Sequence, residues 1–141
     1  MRSSARNQFA GQISAVKPGA VNDEITLRTQ DGLDIVAVIT HGSVASLGLA
    51  AGTKAFALVK ASSVVVVADA GETLLSARNQ LAGTVVSLQP GAVNAEVEID
   101  AGGVRIVAIV TQASARALGL APGVPALAVF KASSVIVGVT R

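Results

Sequence analysis

The feature of this sequence that most restricts its fold is an eight-residue string that occurs twice. Ser-Ala-Arg-Asn-Gln-Phe-Ala-Gly begins at Ser4, and Ser-Ala-Arg-Asn-Gln-Leu-Ala-Gly begins at Ser76, a spacing of 72 residues (76 − 4 = 72). Pro-Gly-Ala-Val-Asn, Thr-x-x-Ser and Lys-Ala-Ser-Ser-Val also recur, in the same order. A long internal repeat predicts one small structural unit that is present twice. We therefore expect domains at 1–68 and 76–141, joined by a linker at 69–75.

Each copy has the pattern of short strands with a single helical turn. In the first copy, alternating apolar and polar residues or apolar runs predict strands at Asn7–Val16, Val21–Thr29, Leu33–Ile39, Lys54–Lys60 and Ser62–Ala68. A change of phase near Asp23–Glu24 predicts a β-bulge. Lys17-Pro18-Gly19 predicts a type II turn, in which the glycine takes a positive φ. Thr40–Gly48 interrupts the strand pattern and predicts one or two helical turns.

This order of elements predicts an all-β protein of two tandem OB-fold domains. In each, a small Greek-key β-barrel would carry one short helical turn. Hydrophobic residues make up 51% of the 141 residues, more than the small core of a unit of about 70 residues requires. The surplus is typical of a subunit interface. It also fits an alternative in which each sheet closes only by taking a strand from a neighbour.

The composition argues against several classes of protein. The chain has no Cys, Trp or Tyr, three Phe and one His, and its net charge is only +2. Disulfides and thiolate metal sites are thereby excluded, and no set of ligands for a bare cation and no catalytic motif is present. Scarce aromatic residues and unclustered basic residues argue against a nucleic-acid partner. Apolar runs far shorter than about 20 residues argue against a membrane span, and the lack of an apolar leader favours the cytoplasm.

Comparing the two copies isolates a candidate binding set. Only two basic positions are filled in both copies, Arg6 with Arg78 and Lys60 with Lys131. They accompany Ser, Thr and Asn in motifs without a carboxylate, which is typical of an oxyanion site. The Thr-x-x-Ser motifs would add free N–H groups at the start of a helical turn. The alternatives are an ordinary helix cap, a solvated lysine at a strand end and an arginine paired with a surface acid.

The Pro-Gly-Ala-Val-Asn turns form a second candidate site. Small residues after Pro-Gly expose backbone N–H groups that can make an anion-binding nest. The alternative is a turn whose Asn caps the following strand. His41 faces Gln112, so it is not required for a function that both copies share.

The combined motifs resemble the Mop domain of the molybdenum-pterin-binding proteins, the molbindins. The resemblance covers residues 4–68 and 76–139, and the duplication is similar to that of the tandem, di-Mop members. It implies OB-fold units that bind molybdate, and also tungstate, at subunit interfaces of a cytoplasmic homo-oligomer, a trimer, without an organic cofactor. By position, the interface sites would use Ser4, Arg6, Asn7, Thr40, Ser43, Lys60, Ala61 and Ser62, and Ser76, Arg78, Asn79, Thr111, Ser114, Lys131, Ala132 and Ser133. A second oxyanion site would use Ala20, Val21 and Asn22, and Ala92, Val93 and Asn94.

We therefore expect a protein without enzymatic activity that binds molybdate, for storage or buffering in molybdenum homeostasis. Two alternatives stay open from the residues alone. One is an OB-fold nucleic-acid-binding protein. The other is a purely structural oligomer whose Arg and Lys side chains brace its interfaces.

Overall fold

The computed structural model describes residues 1–140 and contains two five-stranded antiparallel sheets. The first copy contributes β1 (Asn7–Lys17), β2 (Asn22–Thr29), β3 (Asp34–Thr40), α1 (His41–Leu47), β4 (Lys54–Val59) and β5 (Val65–Val67). The second copy contributes β6 (Asn79–Pro90), β7 (Asn94–Ala101), β8 (Val104–Thr111), α2 (Gln112–Ala117), β9 (Pro125–Phe130) and β10 (Ile136–Gly138). Short 3-10 turns at Ala61–Ser63 and Ala132–Ser134 precede β5 and β10. The expected all-β fold with two short helices is confirmed. Within the described residues, no helix combines the length and apolar composition that crossing a membrane requires.

The strands form because apolar residues occur at every second position. In β1, Phe9 and Ile13 are buried, whereas Gln8 and Gln12, each one position earlier, are exposed. Alternation of this kind places one set of side chains on the inner face of the sheet. The same inner face includes Leu27 of β2, which is 1% exposed. Burying one such side chain stabilises the fold by about 1.5–3 kcal/mol.

Each sheet contains a strand from the other copy. In the first sheet the order is β10-β4-β1-β2-β3, so that Leu58 of β4 lies opposite Ile136 of β10. The second sheet has the order β5-β9-β6-β7-β8, and Val65 of β5 lies opposite Val129 of β9. The outermost strands also approach each other within each sheet, β10 near β3 and β5 near β8, which gives each sheet the curl of a small barrel. The alternative in which a sheet takes a strand from a neighbour is therefore the observed one, and the neighbour is the other copy.

Two compact units result from this exchange. The first unit contains Met1–Val59 together with the chain from Lys131 onward, and the second unit contains Lys60–Phe130. Segments of both sequence copies are thus present in both units. The bounds 1–68 and 76–141 stay a prediction for the domains of the sequence repeat.

Two local predictions for the β1–β2 hairpin are wrong. The register shift lies in β1, between Ile13 and Ala15, and not near Asp23–Glu24, because Asp23 is buried in phase with the apolar residues of β2. Gly19 does not take the positive φ of a type II turn. Its role is steric, since a Cβ on Gly19 would overlap the carbonyl oxygen of Asn22.

The strand exchange predicts which engineered cysteines can form a disulfide. Opposite residues of antiparallel strands have Cα atoms about 4.5–5.5 Å apart, within the disulfide range of about 4.4–6.8 Å. Because the chain has no native cysteine, the variant Leu58→Cys/Ile136→Cys should close an intrachain disulfide on oxidation. The matched control is Leu58→Cys/Val65→Cys, since Val65 occupies the position of Ile136 in the first copy. Peptide mass spectrometry identifies the disulfides that form. A disulfide in the control variant and none in Leu58→Cys/Ile136→Cys would contradict the exchange.

Candidate functional site

The Thr-x-x-Ser motifs cap the two helices. Thr40 Oγ1 accepts a hydrogen bond from the Ser43 backbone N–H at 3.1 Å and lies 2.7 Å from Ser43 Oγ. Thr111 and Ser114 repeat this arrangement, with distances of 3.0 and 2.7 Å. A threonine cap contributes about 0.5–2 kcal/mol, so the ordinary capping role is present. One hydroxyl proton of each pair is used between the two side chains, which leaves the other able to donate outward.

The Ala-Val-Asn turns lie directly beside these caps. Asn22 is opposite Thr40 in the β2–β3 ladder, and the His41 backbone N–H donates to Val21 O at 3.0 Å. Val21 is 73% exposed. In the second copy, Asn94 is opposite Thr111, Gln112 N–H donates to Val93 O at 2.7 Å, and Val93 is also 73% exposed. The two candidate sets that the sequence separates by about 20 residues are therefore neighbours in each unit.

The Arg-Asn motifs lie at one end of a strand ladder. Asn7 is 1% exposed, and its Nδ2 donates to Val59 O at 3.2 Å, so this side chain helps to hold β1 against β4. Because Asn7 and Val59 are paired, Arg6 and Lys60 continue the two strands beyond the same end of the ladder. Asn79 has the same 1% exposure in β6 and is paired with Phe130. Ser4 and Arg6, like Ser76 and Arg78, are exposed.

Because of the strand exchange, each Lys-Ala-Ser segment packs against a strand of the other copy. The 3-10 turn at Ala132–Ser134 packs against β3, the strand that ends at Thr40. The 3-10 turn at Ala61–Ser63 packs against β8, which ends at Thr111. Each segment keeps its lysine and first serine exposed and its first alanine buried. Within the first unit, Thr40 and Ser43 therefore lie with Lys131, Ala132 and Ser133. The sequence-based grouping of Thr40 and Ser43 with Lys60–Ser62 at a subunit interface stays a prediction.

Sequence reasoning missed one polar residue beside this site. Asp23 is 1% exposed, and its Oδ1 accepts the Gly19 backbone N–H at 3.0 Å, while Oδ2 lies 2.8 Å from His41 Nδ1. The Gly19 hydrogen bond holds the pKa of Asp23 below its ordinary value; burial opposes this shift, and His41 adds to it. The position of Asp23, two residues before Ile25 and four before Leu27, is the sequence signal that marks it as inward-facing.

The second copy lacks this pair. Ala95 and Gln112 occupy the positions of Asp23 and His41. Of the buried side-chain N and O atoms within residues 1–140, only Gln112 Oε1 has no hydrogen-bond partner. Nowhere in that part of the chain do three His, Cys, Asp or Glu side chains form a group able to hold a metal ion.

The model of the TOBE domain matches this chain twice, at residues 3–66 and 75–137. The chain belongs to the TOBE domain family. Its resemblance to the Mop domain is confirmed by relatives that are named molybdenum-pterin-binding proteins. It is 47% identical to the molybdenum-pterin-binding protein MopA of Rhodobacter capsulatus over 96% of this chain and 52% of that protein. A single TOBE domain matches a probable molybdenum-pterin-binding protein of Haemophilus influenzae, 50% identical over 46% of this chain and 96% of that one.

A solved structure matches the whole chain. It is the crystal form, with molybdate bound, of the cytoplasmic molybdate-binding protein ModG. The two chains are 48% identical and superpose with a TM-score of 0.96 over 99% of this chain and 100% of ModG. The chain spans about half the length of MopA and of the other curated relatives that match both of its TOBE domains.

The lowered pKa of Asp23 predicts a defined pH dependence of stability. A carboxyl group with a lower pKa in the folded than in the unfolded protein stabilises the fold while it is ionised. This contribution is complete above the ordinary aspartate pKa of about 3.9, and it is lost as the pH falls through the lower pKa of the folded state. The difference in unfolding free energy between the wild type and Asp23→Asn should therefore shrink on acidification. Urea denaturation at a series of pH values measures it, and a difference that grows below about pH 4 would contradict the assignment.

Proposed function

We propose that this chain binds molybdate as an oxyanion store or buffer in the cytoplasm, without chemical conversion of the ligand. The observation that carries the proposal is the duplicated arrangement of one Thr-Ser hydroxyl pair with the adjacent Ala-Val-Asn turn, in a unit where the 3-10 turn of a Lys-Ala-Ser segment packs against the strand that ends at that threonine. The likeness to ModG, whose crystal form holds molybdate, supports the same ligand.

The proposed interface site is built from segments of both sequence copies. One set comprises Thr40, Ser43, Lys131, Ala132 and Ser133, and the other comprises Thr111, Ser114, Lys60, Ala61 and Ser62. The segments that would complete them are Ser4, Arg6 and Asn7, at the ladder end where Lys60 begins, and Ser76, Arg78 and Asn79, at the ladder end where Lys131 begins. Each set would be completed across a subunit boundary of a homo-oligomer. The buried Asn7 and Asn79 would act by fixing the ends of β1 and β6. The turns at 20–22 and 92–94 would form the second oxyanion site.

The chemistry of this set suits a tetrahedral dianion. Arg and Lys supply charge-assisted hydrogen bonds, each worth about 1.5–3 kcal/mol, and the outward hydroxyl proton of each Thr-Ser pair adds a neutral donor. Donors of this kind offset the loss of hydration of the anion. Molybdate and tungstate are larger than sulfate and phosphate, so the size of the completed cavity would provide selectivity. A protonated phosphate would also be best held by a carboxylate acceptor, and the proposed set contains no carboxylate.

Exposed apolar residues at equivalent positions support assembly. Val21 and Val93 are each 73% exposed, and Val65 and Ile136 are 58% and 65% exposed. Matched exposure of large apolar side chains in both copies is typical of a surface that a partner covers. We propose that identical chains cover it, in a trimer.

The proposal predicts selective, arginine-dependent binding of molybdate. Calorimetry should show saturable binding of molybdate by the full chain and much weaker binding of sulfate and phosphate. The variant Arg6→Ala/Arg78→Ala should bind molybdate about 10- to 100-fold more weakly, because each site loses a charge-assisted hydrogen bond.

The matched control is Lys17→Ala/Lys54→Ala, which removes the same charge at positions where the other copy has Gln89 and Pro125. It should bind molybdate like the wild type. Equal affinity for the three anions, or an equal loss in the control variant, would contradict the proposal. An unchanged melting temperature on adding molybdate would favour a purely structural oligomer.

A further inference from the structure

The two Ala-Val-Asn turns are held differently, although their sequences are identical. On the side of Val21 and Val93, the two copies use the same contact, a hydrogen bond from the first residue of the helix to the valine carbonyl. On the glycine side, among residues 1–140, a side-chain tether is present in the first unit only, where Asp23 accepts the Gly19 N–H at 3.0 Å. The residue at the position of Asp23 in the second copy is Ala95, which has no side-chain acceptor.

The tether also joins the turn to helix α1. Both carboxylate oxygens of Asp23 lie within 3.1 Å of His41 Nδ1, and His41 is the first residue of α1. Asp23 therefore connects Gly19, before the exposed Ala20, Val21 and Asn22, to the helix that follows Thr40. At the position of His41, the second copy has Gln112, whose Oε1 is buried with no hydrogen-bond partner in the described part of the chain. The first turn is thus tied to buried structure at both ends, and the second at one end.

A turn that is ordered before the ligand arrives binds it more tightly. Ordering the backbone of one residue costs about 1–2 kcal/mol, and a site that is already ordered avoids this cost on binding. The cost of ordering one residue corresponds to a change of about tenfold in affinity. The negative charge of Asp23 acts in the opposite direction. It is, however, 1% exposed and satisfied by the Gly19 N–H and the imidazole of His41.

We propose that Asp23 is a positioning residue that makes the turn of the first unit a tighter oxyanion site than the turn of the second unit. This inference rests on the proposed function and deepens it, because it divides the turn sites of one chain into two classes. The class at Ala20, Val21 and Asn22 fills before the class at Ala92, Val93 and Asn94 as the anion concentration rises.

Titration of the isotope-labelled full chain with molybdate, followed by nuclear magnetic resonance, tests the inference. The backbone amide signals of Val21 and Val93 report on the two turns separately. In the wild type, Val21 should reach half-saturation at an about tenfold lower molybdate concentration than Val93. In Asp23→Ala the two half-saturation concentrations should become equal, because the concentration for Val21 rises and that for Val93 does not change. Asp23→Asn should keep most of the difference, because its amide oxygen can still accept the Gly19 N–H.

The second copy provides the reciprocal variant. Ala95→Asp/Gln112→His installs the tether in the second unit and should lower the half-saturation concentration at Val93 without changing that at Val21. Hydrogen exchange at Gly19 and Gly91, measured without anion, checks the tether itself. Gly19 should exchange more slowly than Gly91 in the wild type and at a similar rate to Gly91 in Asp23→Ala.

The possible outcomes separate this inference from the proposed function. Saturable shifts at both valines with equal half-saturation in the wild type would overturn the inference and leave the proposed function standing. An equal loss at both valines in Asp23→Ala would also overturn it, since this would reflect general destabilisation. No saturable shift at either valine, with no heat of binding in calorimetry, would overturn both.

Discussion

The pairing of β10 with β4, and of β5 with β9, is the contact on which the rest of the structure depends. The exchanged strands β5 and β10 are each only three residues long, and each follows a 3-10 turn that begins after a lysine. When the strand joins the sheet of the other copy, the Lys-Ala-Ser segment accompanies it. A short exchanged strand thereby supplies a buried valine to one core and a lysine with a serine to one candidate site. Neither unit completes its sheet or its set of donors from a single copy.

Several side chains of the candidate site also stabilise the fold. Thr40 satisfies an N–H group at the start of α1 and holds a second hydroxyl at 2.7 Å. Asn7 and Asn79 are buried at the strand ends beside the exposed arginines. The Thr-Ser hydroxyl pairs are therefore held by contacts that the helix caps already require. This order would limit the entropy that binding costs at those hydroxyls.

The repeat and its periodicity predict much of the fold, and they predict it for physical reasons. Alternating burial follows from the two-residue period of β1 and β2, and the Thr-x-x-Ser caps follow from the hydrogen-bonding groups that a helix start leaves open. The strand exchange is different. The segments Ser-Ser-Val before β5 and β10 are identical, so either strand carries the same signal for either sheet, and only the three-dimensional path of the chain decides between them.

Sequence comparison of the copies identified the exposed Arg, Lys, Thr and Ser positions of the candidate site. It could not tell which Lys-Ala-Ser segment shares a unit with Thr40, because the strand exchange that brings Lys131 into that unit leaves no separate signal in either copy. It missed Asp23 because a carboxylate at an inward position was interpreted as a break in the alternation. Arg28 and Asp34 form an ion pair 2.8 Å apart. The equivalent residues of the second copy are Asp100 and Arg105, which have the opposite charges, and Arg105 lies 3.5 Å from Glu98. Charges that differ in this way stabilise each hairpin locally and carry no shared function.

The most direct test of the central claim is a crystal structure of the full chain grown with molybdate, with the anion located by the anomalous scattering of molybdenum. We expect anomalous peaks next to the Thr40 and Ser43 hydroxyls, with oxygens of the anion within hydrogen-bond distance of that pair and Lys131 of the second copy in the same unit. Peaks that lie away from both Thr-Ser pairs and both Ala-Val-Asn turns would contradict the claim. So would a structure in which β10 pairs with β9 rather than with β4.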